Sequence, residues 1–289
     1  MIDTLQILFN GVVSGLLVAL PALALALTFS VLRFANFAIG AMLTAGAYAI
    51  YAFNAGLGWP LLPSALAGIV LGGGVAMLVD RLVYRPLRER SPVTLLVASM
   101  GVAFVLENLV RFVAGNAPVG YAVDPARPLR FAGLRVNHEQ LLIVGIGIAS
   151  LALVWIVFRF TALGRAMRAV ADNAPLAAAR GIVANRVIGA TWFIAGALAT
   201  TAGMLIGLDS TLDPQMGWNY VIQVFAAAIL GGISHPMAAV AGALVLGVSA
   251  ELSTLVIAPH YRPLVAFAVL TVLLLIRPWG IFGTARLAK

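Results

Sequence analysis

Cysteine is absent from the chain, and lysine occurs once, at Lys289. The first absence excludes a disulfide framework, a thiolate metal site and a cysteine nucleophile. The second excludes a Gly-x-x-x-x-Gly-Lys-Ser/Thr phosphate loop, so the chain is not its own ATPase by that route. Charge is scarce: 10% of the residues are charged, against roughly 25% in a soluble domain. The histidines His138, His235 and His260 are scattered and lack metal-ligand spacing. His235 precedes Pro236 in a turn and reads as a local hydrogen-bonding residue. No Ser/His/Asp grouping sits on a nucleophile turn. These absences leave an enzyme without machinery, and no cofactor or metal is expected. The opening "MIDTLQILFN" has no Lys or Arg, and Asp3 opposes a basic leader, so the first apolar run is expected to stay as a helix.

What is present is apolar surface. Hydrophobic residues make up 62% of the 289, and the mean hydropathy is +1.05. Runs approaching or exceeding the ~20 residues that cross a bilayer recur along the chain. The spans are expected at about 5–31, with Pro21 inside, then 34–53, 61–79, 93–113, 140–158, 187–208, 220–230, 237–257 and 264–276. The reading is all-α: a polytopic helical membrane protein of about nine segments, eight to ten in range, in which the seventh is short enough to re-enter. A transmembrane barrel needs short alternating strands, and none appear.

The net charge is +8. Its arginines lie in short connections between apolar runs, so membrane topology accounts for them and no nucleic acid is expected. Loop 80–92, "DRLVYRPLRERSP", holds Arg81, Arg85, Arg88 and Arg90. The stretch 161–182 holds Arg165, Arg168 and Arg180, and the C-terminus holds Arg277, Arg286 and Lys289. The positive-inside rule makes all of these cytoplasmic, with the N-terminus outside. Loop 115–138 is then outside despite Arg127, Arg130 and Arg135. Small residues in "LGGGVAML", "AGALVLG" and "AAILGG" suit close helix packing. A similar texture in the first and last thirds is compatible with an inverted internal repeat.

The stretch "TALGRAMRAVADNAPLAAARGI", 161–182, is polar between apolar spans. It reads as two short helices. The first is expected to start at Gly164 and to break at Asp172 and Asn173. Asn173 caps the second, with Pro175 in its first turn. Arg180 complements the helix dipole, and Gly181 is the natural C-terminal cap. A mere connection needs no such punctuation. A small Ala-rich helix fits a shallow groove on a partner protein. The other reading is a basic loop lying on lipid headgroups.

"GRAMRAVADNAPLAAARGI" resembles the cytoplasmic coupling loop of ABC-importer permeases, specifically the branched-chain amino acid, LivH-like, family. "LRFANFAIGAMLTAGAYAIY" is similar to that family's first block, "VIQVFAAAILGGISHPMAAVAGALVLG" to its late block, and "IRPWGIFG" to its ending. Ala41, Met42 and His235 depart from the family's usual residues. The resemblance implies one permease domain over 1–289, with a coupling loop at about 161–186. It implies partners as well: cytoplasmic ABC ATPase subunits, a homologous permease subunit in a homodimer or heterodimer, a periplasmic solute-binding protein, and a bacterial inner-membrane bilayer around them. Contact with the ATPase then falls to Gly164, Arg165, Arg168, Ala169, Asp172, Asn173, Leu176 and Gly181. The implied cargo is a branched-chain or other amino acid, or a urea-like small solute.

A few residues inside the spans are candidates for a translocation path: the polar Asn36, Thr44, Gln223 and Glu251, with Gly40. Glu251 has no basic partner three or four residues away, and an intramembrane acid of that kind is a functional candidate. Asn36 could equally cap a helix. Glu107 and Arg111, four apart, are expected to pair on one face. The competing class is a stand-alone secondary transporter or channel, which needs ionisable groups near the midplane; only Glu107 and Glu251 qualify.

Overall fold

The computed structural model describes residues 2–123, 129–131, 134–233, 235–258, 261–277 and 280–282. Helix α1 (Ile2–Leu32) is apolar on every face, and a helix of that kind is buried rather than peripheral. It runs through the middle of the bundle, with Leu20, Leu23 and Leu25 fully enclosed. Helix α2 (Ala38–Tyr51) ends in a π turn, Ala52–Gly56. Helix α3 (Leu61–Val79) continues through a second π turn, Asp80–Tyr84, into the short α4 (Arg85–Leu87). Helix α5 (Pro92–Ala114) starts at Ser91, whose hydroxyl accepts the Thr94 amide at 3.3 Å, with Pro92 in the first position. A two-stranded antiparallel hairpin, β1 (Leu129–Phe131) and β2 (Leu134–Val136), leads to α6 (His138–Phe160). The Asn137–Gln140 capping box opens α6. Then come α7 (Ala162–Ala179), α8 (Ala184–Asp209), α9 (Met216–Gly231), α10 (Pro236–Leu252) and α11 (Arg262–Ile276).

Seven of the described helices are long and apolar enough to cross a membrane, and two shorter apolar ones lie at Met216–Gly231 and Leu264–Ile276. Together they match the expected segments, and the protein is a multi-pass membrane protein. The seventh, α9, has 16 residues and spans roughly 24 Å, less than the ~30 Å hydrocarbon core.

Close helix approach accounts for much of the small-residue texture. Helices α1 and α10 run antiparallel, and a Cβ on Gly247 would lie 2.4 Å from the Gly15 Cα. In "LGGGVAML", Gly72 and Gly73 meet Thr200 and Phe193 of α8, while Gly74 faces open space. Backbones this near one another gain the dispersion and weak polar contacts that hold helices together where lipid offers no hydrophobic drive.

The bundle has two distinct ends. At one, Arg33 donates to the Ala171 carbonyl at 2.9 Å and Arg88 to Asn185 at 2.9 Å. These bonds tie the end of α1 to α7 and the segment after α4 to the start of α8. At the other, Gln6 and Arg135 exchange two hydrogen bonds of 3.0 and 2.9 Å, and Val119 pairs with Leu212. Tyr121 donates from there to the Ala47 carbonyl at 3.1 Å, and burial pushes its phenol above the ordinary range, so the proton stays. Arg127 and the C-terminal Arg286 and Lys289 lie outside the described residues.

Candidate functional site

The first helix of the hairpin begins two residues earlier than Gly164, where the sequence reading started it. Thr161 is the N-cap of α7, its hydroxyl accepting the Gly164 amide at 3.1 Å. Gly164 is not the start but a contact: a Cβ there would fall 2.3 Å from the Phe158 carbonyl oxygen. This lets the hairpin turn back tightly on the end of α6. Asn173 breaks the helix as expected, with φ −156° and ψ 97°, and its side chain accepts the Leu176 amide at 3.0 Å. Gly181 has φ +82°, the left-handed conformation of a helix terminator, and its amide donates to the Ala178 carbonyl at 2.9 Å.

The hairpin has two faces. Met167, Val170 and Ala177 are buried against the bundle, and Ala169 is half-buried on that side. Arg168 is also spent internally: it donates to the Phe158 carbonyl and stacks over the Phe158 ring at 5.3 Å. On the other face Arg165, Asp172, Asn173, Leu176 and Gly181 are exposed. Leu176 is 58% exposed, the largest apolar side chain on the outer surface of α7. Of the eight expected contact residues, Gly164, Arg168 and Ala169 face inward and the remaining five face outward.

The candidate path residues do not converge. Gln223 and Glu251 line a cavity of about 220 Å³ with Ser14, Asp209, Tyr220 and Arg262. Glu251 is not unpartnered. Arg262, at the start of α11, reaches it at 2.9 Å, and the Ser14 hydroxyl donates to it at 3.3 Å. The partner lies eleven positions on, across a turn, beyond the reach of any in-helix search. Gly40 and Thr44 sit elsewhere, against α9, where the Gly217 amide donates to the Thr44 hydroxyl at 2.9 Å. Both border a small gap with Glu107 and Trp218. Asn36 is fully buried in a third place, accepting from Tyr84 at 3.2 Å and from the Ala38 amide at 3.1 Å. It caps a turn, and its Nδ2 has no partner among the described residues. Arg111 reaches Glu107 at 2.6 Å along α5.

One polar pair escaped sequence reading altogether. Arg88 grips the buried carboxylate of Asp80 with contacts of 2.7 and 2.6 Å. The spacing of eight is not a helical pairing distance; the π turn at Asp80–Tyr84 and the short α4 fold Arg88 back. Tyr84 stacks on Trp192 at 4.8 Å and seals the site from the bundle interior.

A polytopic helical bundle with a capped polar hairpin at its basic end defines a class, the membrane-spanning permease. The fold agrees: one chain of the structure of PsaBC from Streptococcus pneumoniae in complex with Fab superposes with a TM-score of 0.50 at 14% identity, over 94% of this chain and 92% of that one. Sequence gives the family. Residues 7–274 match the family described as branched-chain amino acid transport system / permease component, and the chain belongs to it. The high-affinity branched-chain amino acid transport system permease protein LivH of Escherichia coli K12 is 31% identical over 99% of this chain and 97% of its own length. BraD of Pseudomonas aeruginosa, a protein of the same description, is 29% identical over the same shares.

Proposed function

We propose that this chain is the membrane-spanning subunit of an ATP-driven importer for branched-chain amino acids, acting as a single permease domain. Its family implies ATPase and binding-protein partners. In this reading a second permease subunit completes the pore, a solute-binding protein delivers cargo at the Gln6–Arg135 end, and the ATPase grips α7 at the opposite end. The N-terminus lies outside and the C-terminus in the cytoplasm, which puts the arginines of the 80–92 loop and of α7 inside. The cargo assignment rests on what the relatives are described as carrying.

The observation that carries the reading is the hairpin's construction. Its inner face is braced by Arg168 and the Gly164 approach, its two helices are capped separately, and Leu176 stands out on the free face. A rigid, separately capped helix pair with an exposed apolar anchor can transmit movement between a partner and the bundle. The stand-alone carrier loses support, because Glu251 is tied to Arg262 and Glu107 to Arg111.

The test is co-expression with the cognate ATPase subunits. Leu176→Asp is expected to lose ATPase co-purification and leucine uptake while the bundle folds normally. Normal co-purification and uptake would refute the hairpin as the coupling element.

A further inference from the structure

At the basic end, a cleft of about 360 Å³ opens between the lower part of α3 and the first turns of α8. One wall carries Arg81 and Arg85, the other Arg186, and Arg88 spans the two. The four arginines are not equivalent. Arg88 is a strut: it holds Asp80 on the α3 side and Asn185 on the α8 side, so its charge is neutralised and the walls are fixed. Arg81, Arg85 and Arg186 are exposed and form no ion pair among the described residues. Arg81 and Arg85 line the same wall of the cleft, and like charges held on one wall repel unless an anion sits between them.

The cleft also has an apolar part. Met77, Gly189 and Ala190 line it. A Cβ built on Gly189 meets nothing within 4 Å. Just outside, Leu78 and Leu82 are more than half exposed, as lipid-facing side chains are. A water-facing anion site has no use for such a floor, and a purely topogenic arginine cluster has no use for a preformed cleft.

We infer that this cleft binds one anionic glycerophospholipid, its phosphate held by Arg81, Arg85 and Arg186 and an acyl chain lying along Met77 and Gly189. Basic pockets between transmembrane helices recognise anionic headgroups in this way. The lipid bridges α3 to the first turn of α8, immediately after the α7 hairpin. The inference does not depend on the cargo or on the ATPase.

The experiment is native mass spectrometry of the delipidated full chain, titrated with dioleoylphosphatidylglycerol or dioleoylphosphatidylcholine. The anionic lipid is expected to bind about tenfold more tightly or better, given three basic groups near the surface. Arg81→Gln/Arg85→Gln/Arg186→Gln is expected to erase that preference. Arg90→Gln/Arg159→Gln, at the same end but outside the cleft, is expected to keep it. Gly189→Leu fills the floor and leaves every charge that guides insertion, so it reports even where the arginine variant folds poorly; it is expected to weaken binding too. Millimolar inorganic phosphate is expected to leave the lipid bound. Equal binding of the two lipids, an unchanged preference in the triple variant, or displacement by phosphate would each overturn the inference.

Discussion

The Asp80–Arg88 pair gives the sharpest prediction about stability. The Asp80 side chain is 5% exposed and that of Arg88 15%, so neither charge is well solvated without the other. Arg88→Gln leaves the carboxylate buried and unpaired. Breaking a buried pair from one side costs about 3–5 kcal/mol. Asp80→Asn is milder, because Arg88 keeps Asn185 and partial access to water; losing a charged hydrogen bond costs about 1.5–3 kcal/mol. If the two effects were independent, the double variant would lose the sum of both. Instead it contains no buried charge at Asp80, and its cost is expected to be no larger than that of Arg88→Gln alone. The coupling should then be at least about 1.5–3 kcal/mol, the cost of Asp80→Asn by itself, toward the upper end for contacting residues. The assay is reversible unfolding of the purified chain in mixed micelles, followed by loss of helical circular dichroism. Additivity within about 0.5 kcal/mol would refute the reasoning, as would an Arg88→Gln cost below about 1 kcal/mol.

Gly181→Val and Gly181→Ala isolate backbone conformation, since a Cβ at Gly181 meets no atom within 4 Å. Each is expected to destabilise the left-handed cap by about 1–2 kcal/mol, the β-branched variant more, and uptake should fall in the same order; equal, wild-type uptake in both would show that the cap has no role. Topology can be read with single cysteines, as the chain has none. Arg90→Cys should be shielded from an impermeant thiol reagent in intact cells, whereas Leu57→Cys, 63% exposed at the opposite end, should be labelled; the reverse pattern would invert the proposed orientation.

How much of this was legible in the amino-acid order varies with the range of the interaction. Spans could be read because lipid leaves no partner for an unpaired backbone group, so each crossing must be one long apolar helix. The seam at Asn173 and the cap at Gly181 were legible for a related reason: each answers to its own dihedral angles and to amides a few residues away. The resemblance to permeases followed from such local blocks in order along the chain. Long-range pairing was not available. Nothing near Glu251 announces Arg262, nothing in the spacing of Asp80 and Arg88 announces a π turn, and nothing separates the free face of α7 from its braced face until the Phe158 carbonyl and ring are in place. The five candidate path residues, four of them polar groups in apolar runs, occupy three separate places, one of them sealed around Asn36. Periodicity specifies which side of a helix is apolar. Which neighbour covers that side, and which buried charge meets which, depends on how helices cross, and that is decided by the shapes of surfaces hundreds of residues apart, such as the Gly15–Gly247 contact that sets α1 against α10.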